Sequence, residues 1–153
     1  MKYEIVELKE KQVVGIIKKT TNENMQAVKD IGELWQRFIA EEVYNNIENK
    51  VNQQGIGLYT NYEGDYTKPY SFMTCCEVSA VGDLKHPLIF KTINAGKYAK
   101  FSIRGHIQEA VMDVWEAIWA LNLNRKYECD FEIYHNNSED MTDQIIDIYI
   151  SII

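Results

Sequence analysis

The chain repeats one pattern of elements. A strand-like run, Val13-Val-Gly-Ile-Ile-Lys-Lys19, is followed by a helical stretch holding Glu33-Leu-Trp-Gln36 and then by Gly57-Leu-Tyr-Thr-Asn61. The same order returns as Tyr98-Ala-Lys-Phe-Ser-Ile-Arg104, Asp113-Val-Trp-Glu116 and Glu132-Ile-Tyr-His-Asn136. Trp35 thus corresponds to Trp115 and Tyr59 to Tyr134, which confines the chain to folds built from two like units. The copies differ where it matters chemically: Gly57 in the first stands where Glu132 stands in the second. A carboxylate in a strand otherwise rich in apolar and aromatic residues is costly unless something binds it, which makes Glu132 the leading site candidate.

The periodicities predict an α+β fold of two strand-helix-strand-strand units, with pseudo-repeats about 1–82 and 86–153 in a single domain. Residues 3–8 and 12–19 read as strands, with a turn or bulge at Glu10-Lys11. Asn22 or Asn24 is positioned to cap a helix over 25–47, whose stripe is Val28, Ile31, Leu34, Trp35, Phe38 and Ile39. Residues 56–62 and 70–81 read as a hairpin around the turn-rich segment 63–69, and 82–87 links the halves. In the second unit, strands 88–93 and 97–104 meet at Asn94-Ala-Gly96, a tight-turn signal. A helix over 107–121 follows, with Val111, Val114, Trp115, Ile118 and Trp119 on its apolar side, then strands 131–135 and 145–152 flanking a loop at 136–140.

A length of 153 residues with 46% hydrophobic content suffices for a sizeable core. The N-terminus enters a strand directly, and no run of 18 apolar residues occurs, so the expectation is a cytoplasmic protein without membrane contact. Cys75, Cys76 and Cys129 form neither an even disulfide set nor a metal-ligand spacing, and read as reduced thiols packed in strands. Lys and Arg number 16 against 23 Asp and Glu, a net charge of -7 with no basic run, which argues against direct nucleic-acid binding and favours cationic partners. His86, His106 and His135 are scattered, so no metal site is expected. No phosphate loop or nucleophile motif points to a cofactor or to covalent catalysis.

The doubled order, the Trp in each helix, the Phe131-Glu-Ile-Tyr134 strand and the terminal Asp147-Ile-Tyr-Ile-Ser-Ile152 together resemble the gyrase-inhibitor-like small-molecule-binding family. The same module serves as the effector-binding domain of multidrug-responsive bacterial transcription regulators. The resemblance runs from about Tyr3 to Ile152. It departs from the family at Ser151, where proline is usual, and no helix-turn-helix precedes the module, which implies a stand-alone form. The resemblance also implies two antiparallel sheets with their helices and a central cleft of aromatic rings around one acid. It gives that role to Glu132 and a cleft-lining ring to Tyr149. A carboxylate among aromatic faces offers charge attraction and cation-π contact to delocalised cations such as rhodamines or quaternary ammonium compounds, with broad specificity.

Each candidate also has a structural reading. Glu132 alternates with Phe131 and Ile133, so it faces either the cleft or solvent, and Tyr134 shares its face. Trp35, Trp115 and Phe72 are core or cleft. Trp119 has Ile39 as its counterpart and so belongs to one half alone. Glu77 faces the cleft from the other half or is an edge charge. Tyr59, Tyr62, Tyr66 and Tyr70 are a lid over the cleft or the anchors of a long hairpin.

Three functions remain open: a binding protein for cationic or amphipathic aromatic ligands; a hydrolase of cyclopropane-containing electrophiles, which the resemblance also allows, with Glu132 as general base and Tyr134 or Tyr149 as its partner; and a protein-interaction module of the gyrase-inhibitor kind. The first is favoured. The third is weakest, because the negative charges form no long block.

Overall fold

The computed structural model describes residues 2–136 and 138–153; Met1, and Asn137 in the expected loop at 136–140, lie outside the described residues. Among the described residues, eight strands and three helices follow one another as β1 (Glu4–Leu8), β2 (Lys11–Thr20), α1 (Gln26–Ala40), α2 (Val43–Asn46), β3 (Gly55–Thr60), β4 (Tyr70–Val78), β5 (Ile89–Ile93), β6 (Gly96–Gly105), α3 (Glu109–Ala120), β7 (Arg125–Tyr134) and β8 (Gln144–Ile152), with a 3-10 turn at Glu23–Met25. The fold is α+β. The two sheets expected are one: a continuous antiparallel sheet in the order β1-β6-β8-β7-β3-β4-β2-β5. Exchanging each strand for its counterpart in the other unit reverses this order and leaves it otherwise unchanged, which is the mark of a pseudo-two-fold axis. The axis falls in the β3–β7 pair, and there Gly57 lies directly opposite Glu132, its own counterpart.

The expected turns at Glu10-Lys11 and Asn94-Ala-Gly96 do not close hairpins. β1 pairs with β6 and β5 with β2, so each unit lends its first strand to the other. Leu8 lies opposite Gly96, and Lys11 opposite Ile93, so the two short connections run side by side. Leu8 and Lys11 are three residues apart and hence no more than about 11 Å, yet their strands β1 and β2 stand first and seventh in the sheet order. The sheet therefore curls, bringing its first strand close to its seventh. Its inner face buries Val13, Ile56, Leu58, Met73, Phe131 and Tyr149. The thiols of Cys75, Cys76 and Cys129 are free and buried.

Both long helices cover the outer face. α1 ends at Ala40, short of the expected residue 47, because Glu42 adopts a left-handed conformation (φ 56°). The chain then turns to bury Val43 and Ile47, and Lys50 Nζ satisfies the carbonyls of Tyr44 and Ile47 at 3.0 and 2.8 Å. The stripe of α1 is also rotated from the expected one. Ala27, Asp30, Leu34 and Phe38 are buried, whereas Val28 and Ile39 are 53% and 73% exposed. Asp30 is tolerated inside because Thr20 Oγ1 and Gln26 Nε2 donate to it at 2.7 and 3.0 Å. Asn22 does not cap the helix; its side chain instead ties down the 61–69 loop, donating to the Tyr66 carbonyl at 2.9 Å and accepting from Tyr70 Oη at 2.7 Å. Among the described residues, no helix is long and apolar enough to cross a membrane.

Candidate functional site

Period-two alternation along β7 sends Phe131 and Ile133 to the inner face of the sheet and Glu132 and Tyr134 to the face under the helices. Glu132 is 1% exposed, so its carboxylate is buried at the pseudo-axis between α1 and α3. Three ring donors hold it. Oε2 accepts from Trp115 Nε1 of α3 at 2.8 Å and from Tyr59 Oη of β3 at 3.0 Å, and Oε1 accepts from Tyr134 Oη at 2.7 Å. The space it occupies exists because its counterpart is glycine. A Cβ on Gly57 would stand 2.8 Å from Phe72 Cζ and 2.9 Å from Glu132 Oε1.

Rings pack around the site. Tyr59 lies 4.8 Å from Trp115 and 4.9 Å from Phe72, centroid to centroid, and Trp35 of α1 meets Tyr134 edge-on at 5.2 Å. Toward solvent, Trp115 leads to Trp119, whose outer face is stacked by Tyr66 of the 61–69 loop at 5.6 Å and 14°. Burial drives the Glu132 carboxyl pKa above its ordinary value, while the bonds from Trp115, Tyr134 and Tyr59 oppose that rise. The phenols of Tyr59 and Tyr134 are pushed well above theirs, by burial first and by the nearby Glu132 charge second, so they stay protonated and donate.

The structure thus brings together Glu132, Tyr134, Trp115, Trp35, Tyr59 and Phe72, with Trp119 at the rim. Tyr149 is not among them. It lies on the opposite face of the sheet, stacked on Phe131 at 4.6 Å and 12°. β8 is buried on both faces, so its alternation alone does not say which face meets the acid; Ile146, Ile148 and Ile150 take that side. Glu77 likewise points away, paired with Lys11 Nζ at 3.3 Å in a partly buried contact. The expected open cleft is closed over its carboxylate.

A further buried carboxylate near the site, Asp130, and its partner Arg125 were not foreseen. Arg125 Nη2 donates to Asp130 Oδ2 at 2.7 Å, and both side chains are buried. Asp130 shares the parity of Glu132 two residues earlier on the strand, and that spacing was the available signal. Arg125 carried none, because a register slip in β7 between Arg125 and Asp130, with Tyr127 at φ 53°, breaks the alternation.

Comparison with known proteins places this geometry in a family. An integron cassette protein from the mobile metagenome of Vibrio cholerae, VCH_CASS2, is 28% identical, covering 99% of this chain and 95% of its own, with a TM-score of 0.75. SAV2435, solved bound to tetraphenylphosphonium, is 24% identical over 98% of this chain and 93% of its own (TM-score 0.76). A transcription regulation protein from Staphylococcus aureus MU50 is also 24% identical, over 98% of this chain and 97% of its own (TM-score 0.74). At 24% identity the last two establish the fold alone. No curated protein sequence matches the chain. The family described as Cass2, integron-associated effector binding protein, matches residues 4–152, nearly the whole length, and this chain belongs to it.

Proposed function

We propose that the ring-lined site between α1 and α3 binds cationic or amphipathic aromatic small molecules, with Glu132 as counter-ion. The observation that carries this reading is a carboxylate 1% exposed whose partners among the described residues are three neutral ring donors and no cation. Such a group keeps its charge uncompensated within a shell of π faces, and this suits a delocalised cation that needs little hydrogen-bond geometry. SAV2435, with the same fold, was solved with a ligand of that kind, tetraphenylphosphonium. Entry requires the rim to part, and the Tyr66–Trp119 stack on the 61–69 loop is the contact to open. Hydrolysis fits the geometry less well, because donors already take three of the about four lone-pair sites of Glu132 and its side chain is 1% exposed, which leaves little access for water.

The test is fluorescence titration of rhodamine 6G and tetraphenylphosphonium against wild type and Glu132→Gln. A unit charge about 5 Å from the carboxylate at an effective dielectric near 20 is worth about 3 kcal/mol. Loss of the charge should therefore weaken binding by about a hundredfold. Equal affinity of the two proteins refutes the role of Glu132. Conversion of a cyclopropane-bearing electrophile by wild type alone, read by mass spectrometry, favours the hydrolase.

A further inference from the structure

Arg125 is held in a way that a structural ion pair does not explain. Its side chain is 5% exposed, and Nη2 meets Asp130 Oδ2 at 2.7 Å, yet Nε and Nη1 are buried without a hydrogen-bond partner among the described residues. Asp130 cannot turn to serve them. Its Oδ1 accepts from the Ser151 backbone N–H at 2.8 Å and from Ser151 Oγ at 3.1 Å, and its Oδ2 also accepts from Tyr62 Oη at 2.6 Å. The usual two-bond fork between guanidinium and carboxylate is thus split, and charged N–H groups remain unmet where native interiors rarely leave any. The register slip in β7 is what makes the arrangement: residues five apart on a regular strand face opposite ways, and here they meet.

The guanidinium lies in the ring system already described, 4.3 Å from the Tyr127 ring centroid and 5.8 Å from that of Trp115. The indole of Trp115 therefore has the Glu132 carboxylate at its N–H and the Arg125 guanidinium beside its ring. We propose that Arg125 is a second binding point of this site and that the ligands it favours are amphoteric aromatics, whose anionic oxygen accepts from the free N–H groups of Arg125 while the cationic part faces Glu132. This rests on the binding reading above and narrows its ligand class from cations to zwitterions.

Rhodamine B and its ethyl ester share one cationic ring system and differ in a free carboxylate against a neutral ester, so their affinity ratio reads Arg125 directly. Wild type should bind the acid at least tenfold more tightly than the ester. In Arg125→Met/Asp130→Asn, which removes both charges together and whose folding is checked by circular dichroism, the ratio should fall to within twofold. Equal affinities, or tighter ester binding, in wild type overturn the proposal without recourse to any variant. So does a preference for the acid that survives in the double variant. Ester binding unchanged in Glu132→Gln sinks the counter-ion reading instead and leaves the Arg125 ratio standing, whereas binding of neither dye to wild type ends both.

Discussion

Replacing Gly57 by alanine adds one methyl group at the pseudo-axis, and its consequences follow from distances. The new Cβ would stand 2.8 and 3.2 Å from two carbons of the Phe72 ring and 2.9 Å from Glu132 Oε1. Ordinary contact begins near 3.4 Å, so the carboxylate must retreat by about 0.5 Å if the backbone holds. It has little room to do so, because Oε1 is also bonded to Tyr134 Oη at 2.7 Å and Oε2 to Trp115 and Tyr59. Overpacking of this kind costs about 1–3 kcal/mol. The stiffer unfolded chain returns about 0.4–1 kcal/mol. A net loss of about 1–2 kcal/mol should lower the melting midpoint by roughly 2–8 °C for a chain of this size. Urea denaturation gives the free energy, and dye titration gives the site. Gly32→Ala in α1 is the control, since a Cβ there meets nothing within 4 Å. It should stabilise the protein by roughly 0.5–1 kcal/mol, the gain of alanine over glycine in a helix. If Gly57→Ala is as stable as wild type and binds dye with the same affinity, the carboxylate is not wedged against β3 as described, and the argument from the axis fails.

Two further perturbations act on the same group through its proton. The Glu132 carboxyl has a raised pKa, chiefly from burial, so the folded protein binds its proton more tightly than the unfolded chain does. Stability should then fall as pH rises from the ordinary carboxyl range through the folded pKa, by at most about 1.4 kcal/mol per pH unit from this group; Glu132→Gln should lack that decline and gain on wild type above it, and parallel curves of stability against pH for the two proteins would contradict this. Trp115→Phe keeps a ring but removes the 2.8 Å donor, which should cost about 1–3 kcal/mol and raise the carboxyl pKa further, so that cation binding weakens more at pH 6 than at pH 8; an equal loss at both values would show that the indole does not help to hold the charge.

What the sequence revealed depended on whether the deciding contact was local. Glu132, Tyr134 and Tyr59 were legible because parity and the repeat fix them together, and Trp115 because its helical stripe has a counterpart in α1. Tyr149 was not, since β8 is apolar on one face and carries buried Asp147, Tyr149 and Ser151 on the other. Alternation gives two faces without naming the one that meets the acid. The exchange of β1 and β5 between units was hidden for a related reason. Lys9-Glu10 and Asn94-Ala95 suit a chain reversal and a crossing equally well, and only distant pairing partners decide between them. The rotated stripe of α1 follows from Asp30, a polar residue whose burial depends on Thr20 and Gln26 and which no apolar period predicts.

The asymmetry between the copies is a physical requirement of the symmetry of the fold. Residues directly opposite in an antiparallel pair have Cβ atoms about 4.5–5.5 Å apart, and the axis makes Gly57 and Glu132 such a pair. Two glutamates there would oppose two buried like charges, which is destabilising. Two glycines would leave a hole lined by rings. One of each lets a single carboxylate take the volume of two side chains and lie midway between helices that each present a tryptophan. Only Trp115 reaches it with its N–H; Trp35 packs against Tyr134 and Phe72 instead. The ring shell therefore draws on both units, while the axis carries a single acid, because only one unit supplies it. On the binding reading proposed above, discrimination among flat ligands comes from groups off the axis, and Arg125 is an off-axis charge whose Nε and Nη1 have no hydrogen-bond partner among the described residues.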